Sequence, residues 1–207
     1  MTRSFVFTNH KGGVGKSTSA TNIALGMVNL LRRANATNCR VLIIDTDSQG
    51  HASLVTTGRK DYGADDSLYT VLMADRSNAP QTLMNCLAAT DAIVPVEPRY
   101  LETVGLTSVI QKINDIRDGW RHPNLRVSGL LVTKMDTRVR GHNHLLAEIQ
   151  AHPVLGKLVL GVIPVNEAVS YAHHNHQSLF HYDPRSSASK AYIHVVAALV
   201  RYMKAGA

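Results

Sequence analysis

Phe5-Val6-Phe7-Thr8-Asn9-His10-Lys11-Gly12-Gly13-Val14-Gly15-Lys16-Ser17-Thr18 decides the fold, because it reads as a strand, a glycine-rich loop and a helix start in one stretch. Phe5 to Phe7 is a short apolar run of strand character. From Ser17 to about Arg33, apolar residues at Ile23, Ala24, Met27, Leu30 and Leu31 recur at helical spacing. Glycines between the two let backbone N–H groups turn inward around phosphate oxygens, with the positive end of the helix dipole behind them. In that context Lys16 is expected to reach the β- and γ-phosphates of a nucleoside triphosphate, and the Ser17 hydroxyl to ligate Mg²⁺.

Outward from the loop, strand and helix patterns alternate. Arg40 to Asp45, with Val41-Leu42-Ile43-Ile44 inside it, is a continuous apolar run, as expected for a strand covered on both faces. Ala92 to Val96, Val127 to Val132 and Leu158 to Ile163 read as further strands. Helices are expected from about Leu101 to Ile116, near His144 to Ala151, and from Ser187 to about Met203. Such alternation predicts a single α/β domain over residues 1–207, P-loop NTPase-like, with a mostly parallel sheet and helices on both faces. Ligands in such sheets sit beyond the carboxyl ends of the strands.

Bulk properties exclude several classes. With 207 residues and 44% hydrophobic content the chain can bury a sizeable core. Its 22 Lys and Arg against 15 Asp and Glu leave a formal charge of +7, which suits an anionic partner and says nothing about fold. Cys39 and Cys86 by themselves cannot form a disulfide framework or a four-ligand zinc site. The apolar start is too short for a signal peptide, and no apolar run approaches the ~20 residues that span a bilayer. A soluble cytoplasmic protein is expected.

At the end of the second apolar run stands Asp45-Thr46-Asp47-Ser48-Gln49-Gly50. Two carboxylates one residue apart at a strand end can serve a metal's outer shell and a catalytic water. The same residue types also favour a plain turn. Spacing alone leaves both readings open.

Together these stretches resemble the ParA/MinD family of dimeric ATPases. Lys11-Gly12-Gly13-Val14-Gly15-Lys16-Ser17-Thr18 is similar to its deviant Walker A loop, and Val41 to Gly50 to its second motif, with Ser48 where the family usually has proline. Ala92 to Pro98, Ile163-Pro164-Val165-Asn166, Tyr182 to Ser186 and Lys190-Ala191-Tyr192 resemble later family segments, so the likeness runs over nearly the whole chain. The resemblance implies ATP and Mg²⁺ as ligands, held by Lys11 to Thr18, with Pro164 and Asn166 against the adenine. It implies that Lys11 crosses an ATP-joined homodimer interface, that Asp47 acts on the attacking water and that Asp45 sits near Mg²⁺. It also implies nonspecific DNA binding, nucleoid association and a ParB-like partner.

One departure stands out. The family's Walker B strand, an apolar run ending in Asp, and several dozen residues around it have no counterpart before Ala88. Asp75 ends the nearest candidate, whereas the family match makes Ser67 to Leu72 a short helix. A sheet without that member either closes differently or leaves an edge beside the phosphate-loop strand.

Other signals are weaker. Thr133-Lys134-Met135-Asp136 is similar to the guanine-reading tetrapeptide of GTPases, though the wider likeness is to ATP-binding proteins. His173, His174, His176 and His181 lack a spacing typical of zinc sites. Arg138 with Arg140, and Lys190, Arg201 and Lys204 on the last helix, could neutralise DNA phosphates. That helix carries Tyr192, Val195, Val196, Leu199, Val200 and Met203 as a stripe, read as core packing rather than a MinD-like membrane surface, so no stable membrane anchor is expected.

Overall fold

In the computed structural model, β1 (Phe5–Phe7), β2 (Asp91–Val96), β3 (Arg126–Met135) and β4 (Val159–Pro164) form one parallel sheet in that order. The structure describes residues 3–9, 11–36, 39–45, 49–59, 89–119 and 123–205, with the backbone alone for 100–105. Every residue of β2 is buried, as a strand covered on both faces requires. In register, Val6 lies opposite Ala92, Val94 opposite Leu130 and Val132 opposite Val162.

Helices α1 (Lys16–Arg33), α2 (His51–Thr57), α3 (Tyr100–Gly119), α4 (Arg140–Ala151), α5 (Leu155–Leu158), α6 (Glu167–His174), α7 (Leu179–Tyr182) and α8 (Ser187–Ala205) complete the described elements. Side chains alternate across each strand, so the sheet feeds two cores. Ile93, Leu131 and Ile163 pack with Ile23 of α1, Leu179 of α7 and Tyr192, Val195, Val196 and Leu199 of α8. On the other face Val6, Ala92, Val94 and Leu130 pack with Leu106, Val109 and Ile113 of α3 and Ile149 of α4. Helices therefore cover both faces, as expected, and Tyr192, Val195, Val196 and Leu199 of the α8 stripe are core, with Val200 and Met203 half-buried. Helix α1 approaches α8 so closely that a Cβ on Gly26 would lie 2.8 Å from Val196 Cγ2 and 3.3 Å from the Phe180 ring.

At the amino end of β2, remote from the carboxyl edge, Asp91 is fully buried. Its carboxylate accepts from Ser128 Oγ at 2.5 Å, Tyr202 OH at 2.6 Å, Thr90 Oγ1 at 2.7 Å and Arg126 Nε at 3.1 Å. Burial pushes this carboxyl up, but the hydrogen bonds from Ser128, Tyr202, Thr90 and Arg126 together bring it down to about 2. Since Tyr202 belongs to the last turns of α8, the network ties the end of the chain to the sheet.

One expectation is overturned. Residues 40–45 are not a strand: they pair with no strand among the described residues, and Leu42 and Ile44 are 82% and 62% exposed. An apolar run becomes a strand only where a neighbour accepts and donates its backbone hydrogen bonds. Among the described residues β1 pairs with β2 alone, and its open edge is not taken up by this run. Ser67 to Leu72 and Asp75 lie outside the described residues.

Helix and strand limits shift modestly. Helix α4 begins at Arg140 rather than near His144, because the preceding turn is closed by Asn143 Nδ2 donating to Thr137 O at 2.7 Å and by the Asp136 N–H donating to His142 Nδ1 at 3.2 Å. Strand β3 runs on to Met135, which brings Thr133 and Lys134 to the carboxyl edge.

Candidate nucleotide site

The glycine loop between β1 and α1 has the backbone its sequence requires. Gly13 and Gly15 adopt φ of 77° and 82°, a left-handed conformation costly for any residue with a Cβ. A Cβ at Gly12 or Gly13 would meet nothing within 4 Å, so the outer wall of the loop is open. Gly15 is the N-cap of α1 and offers no side-chain cap, and the first turn carries no acidic residue. Backbone N–H groups and the helix dipole at that end are left to an anion.

The side chains of Thr133, Asn9 and Lys16 fix the loop's position. Val14 is buried, and its carbonyl accepts from Thr133 Oγ1 at 3.0 Å; the same hydroxyl lies 3.3 Å from Val96 O. Asn9 Nδ2 donates to Pro95 O at 2.8 Å, while its Oδ1 accepts from the Lys11 N–H at 3.1 Å. Lys16 Nζ donates to Lys11 O at 2.8 Å, so the ammonium is already folded over the loop. Behind the loop, Ser19 Oγ lies 3.2 Å from Tyr192 OH, whose phenol burial pushes up to about 12. Asn9 and Thr133 carry no signal of this role in the sequence, since each acts only through strands brought beside β1.

The other expected residues are placed as follows. Ser17 and Thr18 lie in the first turn of α1, half-buried beside the loop. Asp45 Oδ2 accepts from the Ser53 N–H at 3.0 Å and Ser53 Oγ at 3.2 Å, tying the segment before α2 to that helix. Asp47 lies outside the described residues. Pro164 ends β4 opposite Met135. Asn166 caps α6, its Oδ1 accepting from the Ala168 N–H at 2.9 Å, and its Nδ2 donates to Ser187 Oγ at 2.9 Å.

Charged groups gather along the carboxyl edge. Buried Glu97 pairs with Lys134 Nζ at 2.5 Å and Arg99 Nε at 3.0 Å. Lys134 holds a φ of 53°, strained for a residue with a side chain. Beyond it Asp136 is gripped by Arg138, Nε to Oδ1 at 3.0 Å and Nη2 to Oδ2 at 2.8 Å, which holds its carboxyl at about 2. A cleft between α1, α2 and α6 is lined in part by Thr18, Asn22, His51 and His173. The rings of His51 and His173 lie 5.1 Å apart, and burial, then His51 and His176, lower the His173 pKa. Among the described residues no three His, Cys, Asp or Glu side chains converge as a metal site.

A strand, an anion-ready glycine loop and an uncapped helix at the carboxyl edge of a parallel sheet define a phosphate-binding α/β protein. The chain belongs to the CobQ/CobB/MinD/ParA nucleotide binding domain family, whose pattern matches residues 5–179. It is 26% identical over 239 residues to the chromosome-partitioning ATPase Soj of Thermus thermophilus, covering 92% of each chain. It is 25% identical over 256 residues to the chromosome partitioning protein ParA of Caulobacter vibrioides, covering 92% of this chain and 91% of that one. Both alignments are longer than the 207 residues of this chain, so these relatives carry residues with no counterpart here. Among solved structures, the septum site-determining protein MinD of Pyrococcus horikoshii, complexed with Mg-ADP, superposes with a TM-score of 0.55 at 15% identity, over 100% of this chain and 99% of that one. Cobyrinic acid a,c-diamide synthase of Mycobacterium smegmatis, with bound ATP analog and magnesium, gives a TM-score of 0.59 at 19% identity, over 100% and 98%.

Proposed function

We infer that this chain is a ParA-like ATPase which binds ATP with Mg²⁺, dimerises around it, and in that state holds DNA without sequence preference to position a cargo. The observation that carries this reading is the loop itself: left-handed Gly13 and Gly15, an uncapped α1 and Lys16 poised above them. Such a loop suits a polyphosphate whose charge is met by backbone N–H groups and one ammonium. The relatives named as partitioning ATPases supply the cargo-positioning class.

The residues divide the work. Lys16 leaves Lys11 O for the β- and γ-phosphates, and Val14 stays anchored by Thr133 while it does so. Ser17, together with Asp45 of the second motif, would hold Mg²⁺, which when bound offsets charge on the phosphate oxygens. Lys11, exposed at the loop's outer side, is suited to reach a second subunit's phosphates, and Asp47 to orient water. Differential binding of ATP and ADP to two states makes this a switch. A ParB-like protein is the partner the reading implies, with a cytoplasmic, nucleoid-bound location.

A second reading has its own support. The sequence's lack of a Walker B counterpart, with residues 40–45 joining no strand and β1 an edge among the described residues, favours a switch that binds ATP and turns it over little. One experiment separates the possibilities: DNA binding with ATP, ADP or no nucleotide at two salt concentrations, with phosphate release followed in parallel, on wild type and Lys16→Ala. The partition reading expects salt-sensitive binding with ATP alone, lost in the variant. Equal DNA binding in every state would sink it. ATP-dependent binding without phosphate release would select the low-turnover switch.

A further inference from the structure

The carboxylate of Asp136 stands just past the carboxyl end of β3, and its surroundings bear on which purine the site accepts. Two observations set it on the same strand-end edge as the phosphate loop. Thr133, three residues earlier, holds the phosphate loop through Val14 O. The Val165 N–H donates to Met135 O at 2.8 Å, which sets Asp136 beside the segment from Pro164 to Asn166 at the end of β4. A nucleotide whose phosphates lie in the loop and whose base runs along the strand ends comes to this edge.

Both oxygens of Asp136 are engaged by one neighbour. Arg138 donates from its backbone N–H to Oδ1 at 3.0 Å, from Nε to Oδ1 at 3.0 Å and from Nη2 to Oδ2 at 2.8 Å. Guanine presents a carboxylate with the same pattern, since its N1–H and N2–H are two parallel donors on one edge. Adenine has a single donor, N6–H, beside an acceptor at N1, so it cannot make this two-donor pair, and a bare carboxylate would repel the N1 lone pair. The fork of Arg138 thus occupies the place a guanine edge would take.

We propose that Arg138 is a specificity residue which keeps this site for adenine nucleotides by clamping Asp136 and withholding it from guanine. The geometry is suited to that work, because Arg138 is 86% exposed and the Asp136 side chain 21%. The guanidinium lies on the solvent side of the carboxylate, and removing it uncovers the oxygens without opening the core. The inference rests on the nucleotide reading above, and its test separates the two.

Affinities for the fluorescent N-methylanthraniloyl derivatives of ATP and GTP, each with Mg²⁺, are measured on wild type, Arg138→Gln, Arg138→Lys and the double variant Arg138→Gln/Asp136→Asn. Arg138→Gln is expected to raise the GTP-to-ATP affinity ratio by about tenfold, the discrimination typical of one bidentate base contact. Arg138→Lys, which keeps the charge and loses the fork, should move the ratio the same way by less. The double variant, with no carboxylate left, should return it towards wild type. A ratio unchanged in Arg138→Gln while ATP still binds would overturn the proposal and leave the nucleotide reading intact. Wild type that binds neither nucleotide would overturn the reading and the proposal with it.

Discussion

Replacing Thr133 by Val tests whether the phosphate loop is held from below. Thr133 is 2% exposed, and its hydroxyl has one proton to give, donated to Val14 O at 3.0 Å with Val96 O at 3.3 Å as the lesser acceptor. Valine fills almost the same space, so packing against β3 is kept and only the polar contact is lost. A buried carbonyl that loses its donor costs about 1–3 kcal/mol. If the loop keeps its shape only when nucleotide is bound, that cost falls on binding and weakens ATP affinity by about five- to 150-fold. The assay is a titration with a fluorescent ATP analogue on wild type, Thr133→Val and Thr133→Ser, with thermal melts of the ligand-free proteins. Serine restores the hydroxyl and should recover most of the affinity. Thr133→Val binding ATP within twofold of wild type, with an unchanged melt, would refute the idea that this bond positions the loop.

Three further outcomes follow from packing and charge. Asp91→Ala takes the acceptor from the Ser128, Tyr202 and Thr90 hydroxyls and from the half-exposed Arg126, and should cost about 1–3 kcal/mol in a denaturant titration. Because the folded carboxyl is held at about 2, below its ordinary 3.8, its contribution is complete above 3.8 and fades as pH falls towards 2; Asp91→Asn should lose that part of the acid dependence. Gly26→Ala gains about 1 kcal/mol of helix propensity, but a Cβ 2.8 Å from Val196 imposes an overpacking cost of about 1–3 kcal/mol, so calorimetry should show a lower Tm. His173 has a folded pKa below its ordinary 6.5, so the unfolded chain takes up its proton first and stability should fall as pH drops through 6.5; a flatter pH profile in His173→Gln would follow.

How far the sequence could be read depended on how local each feature is. The loop was legible because Gly13, Gly15, Lys16 and the start of α1 are neighbours in the chain and each residue type has one physical use there. The apolar run from Ala92 to Val96, which makes up β2 after Asp91, was legible for the same reason. Residues 40–45 carry an equally apolar run, and they failed as a strand because strandhood belongs to a pair of segments. Asn9 and Thr133 were invisible since their partners, Pro95 O and Val14 O, lie 86 and 119 residues away. The tetrapeptide from Thr133 to Asp136 is a weak signal in the sequence, outweighed by the wider likeness to ATP-binding proteins. Its first residue nevertheless grips the loop, and its last is closed by Arg138 two positions on.

The short edge strand has a thermodynamic consequence for the whole site. β1 is three residues long and among the described residues has a neighbour on one side, yet the loop hangs from it. Such a strand opens by local fluctuation at lower free energy than β2 or β3, which sit between neighbours. Backbone amides of residues 5–7 should then exchange with solvent well before those of 92–96 in the free protein. A ligand that binds only the closed loop adds its own binding free energy to that opening step, so nucleotide would slow exchange most at β1 and little in the centre of the sheet. Occupancy of the site would be written in the order in which the sheet comes apart.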